Sequence, residues 1–273
     1  MKKFLTLLLA AAVLVPSCFT KKEEPVKPEK KTMRELLNAN VNFGLTPRKI
    51  GDVPPQGDCY VAQGAASDGT YVYFVLRNSG DTKAVILKYT LEPFKLVATS
   101  ESFNGGHCND LTYYDKDNYV VLAHGQSQGK ILTMIDASTL KVVKDVNISV
   151  GSGAISYDKT LDRYAISQGG SSLHVALSNF SVQNSYTRTD DTGYTAQGMG
   201  SDDSYVYFPM SGSTDNVIVV YDWKGHYKRQ IKLPVALESE SMFSIGDRYF
   251  VCFYVGGSQK GASLYEIFPV EKK

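Results

Sequence analysis

The sequence predicts an all-β fold, a five-bladed β-propeller of four-stranded antiparallel blades closed by an N-terminal strand. Three observations lead to it. The first is composition: 18 Tyr, 12 Phe and 23 Gly in 273 residues favour strands and turns over helices. The second is an internal repeat. Segments beginning at Gln63, Asn109, Gly153, Gln197 and Glu240 align, and their starts lie 46, 44, 44 and 43 residues apart. The third is the pattern after each start: a turn, a β-rich run, and then further strand-like runs. Four short strands per period of about 40–45 residues mark a propeller blade. A β-sandwich gives no reason for five registers to agree this closely.

Lys2 and Lys3 precede an apolar run, Phe4 to Val15, interrupted only by Thr6. A run this short cannot span a hydrocarbon core, which needs roughly 20 residues in a helix. Residues 1–17 therefore read as a secretory signal peptide. Residues 18–47 read as a tether and short helix. Eight charges and two prolines fall between positions 21 and 31, a composition that stays solvated. Thr32 with Glu35 three residues on forms a capping box opening a short helix. Residues 48–269 hold the propeller, and 270–273 form a tail.

Within the propeller the second runs are Tyr71–Leu76, Tyr119–Leu122, Arg163–Ile166, Tyr205–Phe208 and Tyr249–Phe253. The third runs are Ala84–Tyr89, Ile131–Asp136, Leu173–Leu177, Val217–Tyr221 and Ala262–Ile267. Lys95–Thr99, Lys141–Val146 and Tyr227–Leu233 supply fourth strands. The fifth blade has none of its own before the sequence ends, so Arg48–Val53 is expected to supply it. That pairing leaves no open edge.

Two motifs carry resemblances. Leu14-Val15-Pro16-Ser17-Cys18 resembles a bacterial lipobox. The resemblance implies cleavage before Cys18, diacylglyceryl attachment to its thiol and acylation, commonly by palmitate, of the new amine. Pro16 departs from the commonest pattern, while Ser17-Cys18 is similar to lipoproteins of Bacteroides and its relatives. Lys22-Glu23-Glu24 resembles the surface-export signal of those bacteria; a generic charged tether is the alternative. The implied address is the cell envelope, as an outer-membrane lipoprotein held to the membrane by its lipid and displayed at the surface if the export motif acts. Gln-Gly-x-x-x-Asp before Tyr-x-Tyr, Gly106 to Tyr113, Val220 to Gly225 and Glu238-Ser239-Glu240 resemble secreted or lipidated bacterial five-bladed propellers. Some of these are related to helveticin-like proteins. The resemblance implies the fold and little about activity.

Charge excludes some functions. With 29 Lys+Arg against 28 Asp+Glu the net charge is +1. A nucleic-acid partner held by bulk positive charge is not expected. No zinc-spaced histidine pair, Gly-x-Ser-x-Gly or phosphate loop occurs.

The first strand of each blade lines a propeller's channel, so Gln63, Asn109, Gly153, Gln197 and Glu240 should converge near one mouth, flanked by His107, Asp110 and Glu238. A ring of amides and carboxylates suits a small molecule, a glycan or an envelope protein as partner. It also suits a water-filled polar channel. Carboxylate and amide oxygens suit Ca²⁺ as well, with Glu240 and Asp110 as candidate ligands. An enzyme reading, a hydrolase or lactonase, would use His107, Asp110, Glu238 and Glu240 for acid–base work. Glu238 and Glu240, at i and i+2, should share one strand face and raise one pKa. A scaffold role in an envelope complex is the third reading. Binding is favoured over catalysis. Cys252 reads as a buried hydrophobe, and Cys59 and Cys108 lie near the starts of neighbouring blades, where a disulfide could form. The Tyr-rich runs are expected to pack between blades.

Overall fold

The computed structural model describes residues 31–168, 172–189 and 193–272. The segments read as a signal peptide, a lipobox with Cys18 and an export-like motif lie outside them. Among the described residues no helix is long and apolar enough to cross a membrane.

The described chain is a ring of five antiparallel blades. Strand β1 (Phe43–Val53) belongs to the last of them. Blade 1 is β2 (Val61–Ser67), β3 (Tyr71–Arg77), β4 (Ala84–Thr90) and β5 (Lys95–Thr99). Blade 2 is β6 (Asp110–Tyr114), β7 (Tyr119–Ala123), β8 (Ile131–Asp136) and β9 (Val142–Asn147). Blade 3 is β10 (Ala154–Asp158), β11 (Arg163–Ser167), β12 (Ser172–Leu177) and β13 (Val182–Thr187). Blade 4 has an inner strand split into β14 (Thr195–Ala196) and β15 (Gly200–Ser201), then β16 (Tyr205–Ser211), β17 (Asn216–Asp222) and β18 (Tyr227–Leu233). Blade 5 is β19 (Glu238–Ile245), β20 (Arg248–Tyr254) and β21 (Ala262–Glu271), with β1 outermost.

The closing strand is the one expected, and it runs further upstream, pairing from Phe43↔Glu271 to Val53↔Ala262. Glu266 of β21 latches the closure. Its carboxylate accepts from Arg248 Nε at 2.8 Å and also pairs with Arg48 of β1, while Arg248 reaches Glu92 of blade 1 at 2.7 Å.

Burial explains the strand compositions. The second strands are buried on both faces because a neighbouring blade covers each side, so Val72–Leu76 and Phe250–Phe253 are continuous apolar runs. The outermost β5, β9 and β13 are largely solvated and carry polar residues. The core is accordingly five slabs, each filled from two adjacent blades.

Helix α1 (Met33–Asn38) opens with the expected capping box: Glu35 N donates to Thr32 Oγ1 and Thr32 N to Glu35 Oε2. Its Met33 and Leu36 are buried in the slab between blades 4 and 5. The helix is docked.

Candidate functional site

The five inner strands touch one another in turn around the axis, β2, β6, β10, β15 and β19. They come too close for an open channel. A Cβ on Gly64 would lie 2.8 Å from Asp110 Cα, and one on Gly198 2.2 Å from the Glu240 carbonyl oxygen. The Gln-Gly pairs therefore have a physical reason: glycine lets the backbones meet at the axis, and the preceding glutamine stands at the mouth.

Asp110 closes the axis. Its side chain is fully buried, and four donors from four blades reach it. Oδ1 accepts from Leu111 N at 2.9 Å and Ser241 Oγ at 2.7 Å; Oδ2 accepts from Ile155 N and Met199 N, each at 3.0 Å. Ser241 Oγ also lies 3.0 Å from the Ala65 carbonyl oxygen, which brings in the remaining blade. Met199 makes its bond from the gap between β14 and β15, where the inner strand of blade 4 is split. Burial pushes the Asp110 pKa up to about 8, against the lowering effect of the four hydrogen bonds.

The sequence places Asp110 at the mouth as a ligand or catalytic group. It is instead an interior tie. Nor does it suit a cation, because N–H and O–H donors already face both oxygens. Among the described residues no group of three or more His, Cys, Asp or Glu is arranged to hold a metal. The site therefore does not fit the Ca²⁺ expectation.

Above the plug the mouth is polar. Asn109 spans it, donating from Nδ2 to the carbonyls of Gly153 at 2.5 Å and Gln197 at 2.6 Å. Gln197 Nε2 donates to Glu238 Oε1 at 2.7 Å, and Gln63 Nε2 to the Ala62 carbonyl at 2.8 Å. Gln63 and Glu240 sit at matching β-bulges, each squeezed out between two paired neighbours. A bulge re-aims its side chain. The structure thus brings Gln63, Asn109, Gln197, Glu238 and Glu240 to one end of the axis. A cleft of about 480 Å³ opens beside them between blades 4 and 5, lined by Gln197, Ser211, Asp215, Asn216 and Glu238 among others.

Glu240 is 2% exposed, and its carboxyl has no hydrogen bond or ion pair among the described residues. Burial holds its pKa well above the usual carboxylate value, and the neighbouring Glu238 adds to the shift; Arg77 opposes it. The expected interplay of the two glutamates is present, with burial the larger cause.

His107 is not part of an acid–base set with these carboxylates. Its Nδ1 lies 3.0 Å from Asp81 Oδ2 and 3.0 Å from Gln126 Nε2, on a separate cavity of about 280 Å³ over blades 1 and 2. The adjoining Cys108 takes the left-handed backbone conformation, φ 41°, so the chain turns there before β6 begins.

Sequence reasoning missed Arg77 and Asp81. Arg77 ends β3 opposite Val61, its Nη1 lies 2.6 Å from Asp81 Oδ1, and its buried Nε has no hydrogen-bond partner. The signal that could have found it is an arginine directly after the apolar run Tyr71–Leu76, at the mouth end of its strand. Tyr254, paired across the strands with Glu238, stands beside the same glutamates. Cys59, Cys108 and Cys252 are free and buried, so the disulfide is not formed.

The opposite mouth is a cavity of about 330 Å³ lined by Asp68, Asp115, Asp158, Asp202, Asp203 and Asp247. Several of these are committed to the fold. Asp68 and Asp202 cap their turns and accept from the hydroxyls of Tyr73 and Tyr207, and Arg34 of α1 pairs with Asp203 at 2.9 Å.

No protein-family model matches the sequence, and no curated protein matches it. Solved structures do. A Myxococcus xanthus glutaminyl cyclase superposes with a TM-score of 0.59 at 11% identity, covering 85% of this chain and 99% of its own. The WD40 repeats of RRP9 give 0.49 at 7% identity, covering 84% and 100%. A nidogen/laminin complex chain gives 0.48 at 12% identity, covering 78% and 86%. At such identities the likeness establishes architecture alone: the chain is a five-bladed β-propeller, with a polar mouth around Glu240 as its candidate site.

Proposed function

We propose that the Glu240 mouth is a recognition site for a small polar ligand, carried by a lipid-anchored protein of the bacterial cell envelope. The observation behind the site is the Glu240 carboxyl, nearly fully buried yet without a protein partner. The Glu240 oxygens are not among the fully enclosed unpaired atoms, so they still open on the mouth, where a ligand group can take the place of water. Gln63, Gln197 and Glu238 stand ready to orient it. The test is a melting-temperature screen of the full chain against amino acids, short peptides and monosaccharides. A native-state ligand at 100 times its Kd adds about 2.7 kcal/mol. A shift that Glu240→Gln abolishes is the expected result; no shift with any class, or one indifferent to Glu240→Gln, overturns the reading.

A second reading makes the same carboxyl an acid catalyst. A carboxyl whose pKa burial raises well above its usual value suits giving a proton to a leaving group. The shared architecture with a glutaminyl cyclase suggests a first substrate: a peptide with N-terminal glutamine, whose amine would attack the side-chain carboxamide carbon as its C–N bond breaks and ammonia departs. Ammonia release that stops in Glu240→Gln supports this enzyme; its absence leaves the binding role.

The envelope address rests on Lys2-Lys3, the apolar run to Val15 and Ser17-Cys18. Metabolic labelling with a palmitate analogue, lost in Cys18→Ser, tests it. A label unaffected by that change removes the anchor.

A further inference from the structure

We infer that the cavity over blades 1 and 2 is a second site, where His107, oriented by Asp81, acts as general base in the hydrolysis of a small ester or lactone. This site is separate from the Glu240 mouth and does not depend on it. The cavity, about 280 Å³, is lined by Asp81, Thr82, Asn104, His107, Gln126 and Gln128 among others.

The neighbours of His107 decide where its hydrogen sits. Asp81 Oδ1 lies 2.6 Å from Arg77 Nη1. A carboxylate facing a permanent guanidinium charge can only accept. Asp81 Oδ2 lies 3.0 Å from His107 Nδ1, so that nitrogen carries the hydrogen of the neutral ring and donates it. The Gln126 amide lies 3.0 Å from the same nitrogen and, after a half-turn of its terminal torsion, faces it with oxygen. Nε2 keeps the lone pair. Among the described residues it has no hydrogen-bond partner, and it is not one of the fully enclosed atoms, so it opens on the cavity that His107 lines. A histidine base needs this arrangement: one nitrogen fixed by a carboxylate, the other free for substrate. The backbone holds the pair in place. Asp81, Gly106, Cys108 and Gln126 have φ of 55°, 55°, 41° and 43°. Three of the four are not glycine, and such conformations persist only where the surroundings over-determine them.

Such a base takes a proton from water. The water oxygen bonds to the carbonyl carbon, and the C–O bond to the leaving oxygen breaks. Nε2 then returns the proton to that oxygen. The products are an acid and an alcohol or, from a lactone, one hydroxy acid. A single imidazole serves both transfers. The carbonyl oxygen gathers negative charge on the way and needs a donor. Asn104 supplies one. Its Oδ1 accepts from Gly106 N at 3.4 Å, which leaves Nδ2 without a partner among the described residues, on the lining of the same cavity. Side-chain amides serve in this role. The lining argues against other substrates. Among the described residues no lysine or arginine lines the cavity to take the charge of a phosphoryl group. A glycoside needs two carboxylates, and the lining has only Asp81, which is tied to Arg77 and His107.

The test follows hydrolysis of p-nitrophenyl acetate and δ-valerolactone by the full chain, read as nitrophenolate absorbance and acid release. With at least one of them the chain should exceed an equal concentration of free imidazole about tenfold or more. His107→Gln should lower that rate about 100-fold, the lower end of what a positioned base contributes. His226→Gln is the control. It removes an exposed imidazole that also lies 3.0 Å from an aspartate, Asp222, and should leave the rate unchanged. Asp81 is a positioning residue, and Asp81→Asn frees the ring to take the other tautomer. In a serine-protease triad that replacement costs about 10⁴ in kcat, so a fall of about tenfold or more is expected here. Nitrogen-15 NMR of histidine in the parent chain reads the tautomer directly and needs no variant to fold: hydrogen on Nδ1 of His107 is expected. Rates no higher than free imidazole, a rate indifferent to His107→Gln or to Asp81→Asn, a rate lost equally in His226→Gln, or hydrogen on Nε2 in the neutral parent each overturns the site.

Discussion

Asp110 accepts four hydrogen bonds, each from a different blade. As a protonated acid Asp110 carries a single hydrogen, which Ser241 Oγ can take; Asp110→Asn puts two hydrogens on one atom, and at least one of them faces an N–H donor. Leaving a buried group unsatisfied costs about 1–3 kcal/mol, more beside a charge, so a loss of at least about 2 kcal/mol in urea unfolding is expected. The pH response has a definite sign. Because the folded pKa is raised, to about 8 from a usual 3.8, the folded state holds more protons than the unfolded one between those values. Stability therefore falls as pH rises from about 4 to 8. Asp110→Asn should flatten that slope, leaving the part due to Glu240; an unchanged slope would mean that Asp110 does not titrate there. The buried role of Asp110 was not legible in the sequence, where it stands beside His107 and Asn109 with nothing to separate a tie from a ligand. Only the convergence of four blades distinguishes them.

At the scale of elements, the recurring Gln-Gly-x-x-x-Asp before Tyr-x-Tyr is a hairpin device. Asp202 Oδ1 caps its turn through Ser204 N and Tyr205 N, and Oδ2 accepts from Tyr207 at 2.6 Å and from Tyr249 of the next blade at 2.8 Å. Asp202→Ala should cost about 2–3 kcal/mol, since several charge-assisted bonds are lost at once; Asp68→Ala, without a hydroxyl bond from the tyrosine of a second blade, should cost less. Paired urea melts check the order. The Glu266 latch behaves oppositely to Asp110 with pH. Its arginine partners hold its pKa below the usual 4.5 despite burial. The stabilisation is present above that value and is lost as pH falls through the folded pKa. Glu266→Gln should remove acid sensitivity below about pH 4 while lowering stability at neutral pH. Most strands were readable from their apolar runs. Strand β13 was not, because as a solvated outer strand it carries Gln, Asn and Ser and no hydrophobic pattern.

At the scale of the molecule, closure joins the first strand to the last, with β1 and β21 more than 200 residues apart along the chain. Without β1 the long edge of β21 is unpaired, and such edges invite association. A chain starting at residue 54 should lose its cooperative melt and elute as aggregates in size-exclusion chromatography. A monomeric, cooperatively melting product would show that the ring holds without its closing strand. Adding residues 31–53 as a separate peptide should restore part of the melt, because the slab between blades 4 and 5 is completed by Met33, Leu36, Phe43 and Leu45.

The repeat period, the apolar second strands, the capping box and the need for an N-terminal closing strand were all determined by the sequence alone. Each is a local pattern, and local patterns are written in consecutive residues. The same holds for the Gln63, Gln197 and Glu240 ring, because equivalent positions of a repeat must meet at its axis. What only the tertiary structure decided was which polar group faces which. Asp110 sank into the plug, and His107 and Arg77 both turned to Asp81. These pairings depend on bulges, left-handed turns and the width of the axis, which are set when five blades pack together and leave no mark on any one of them.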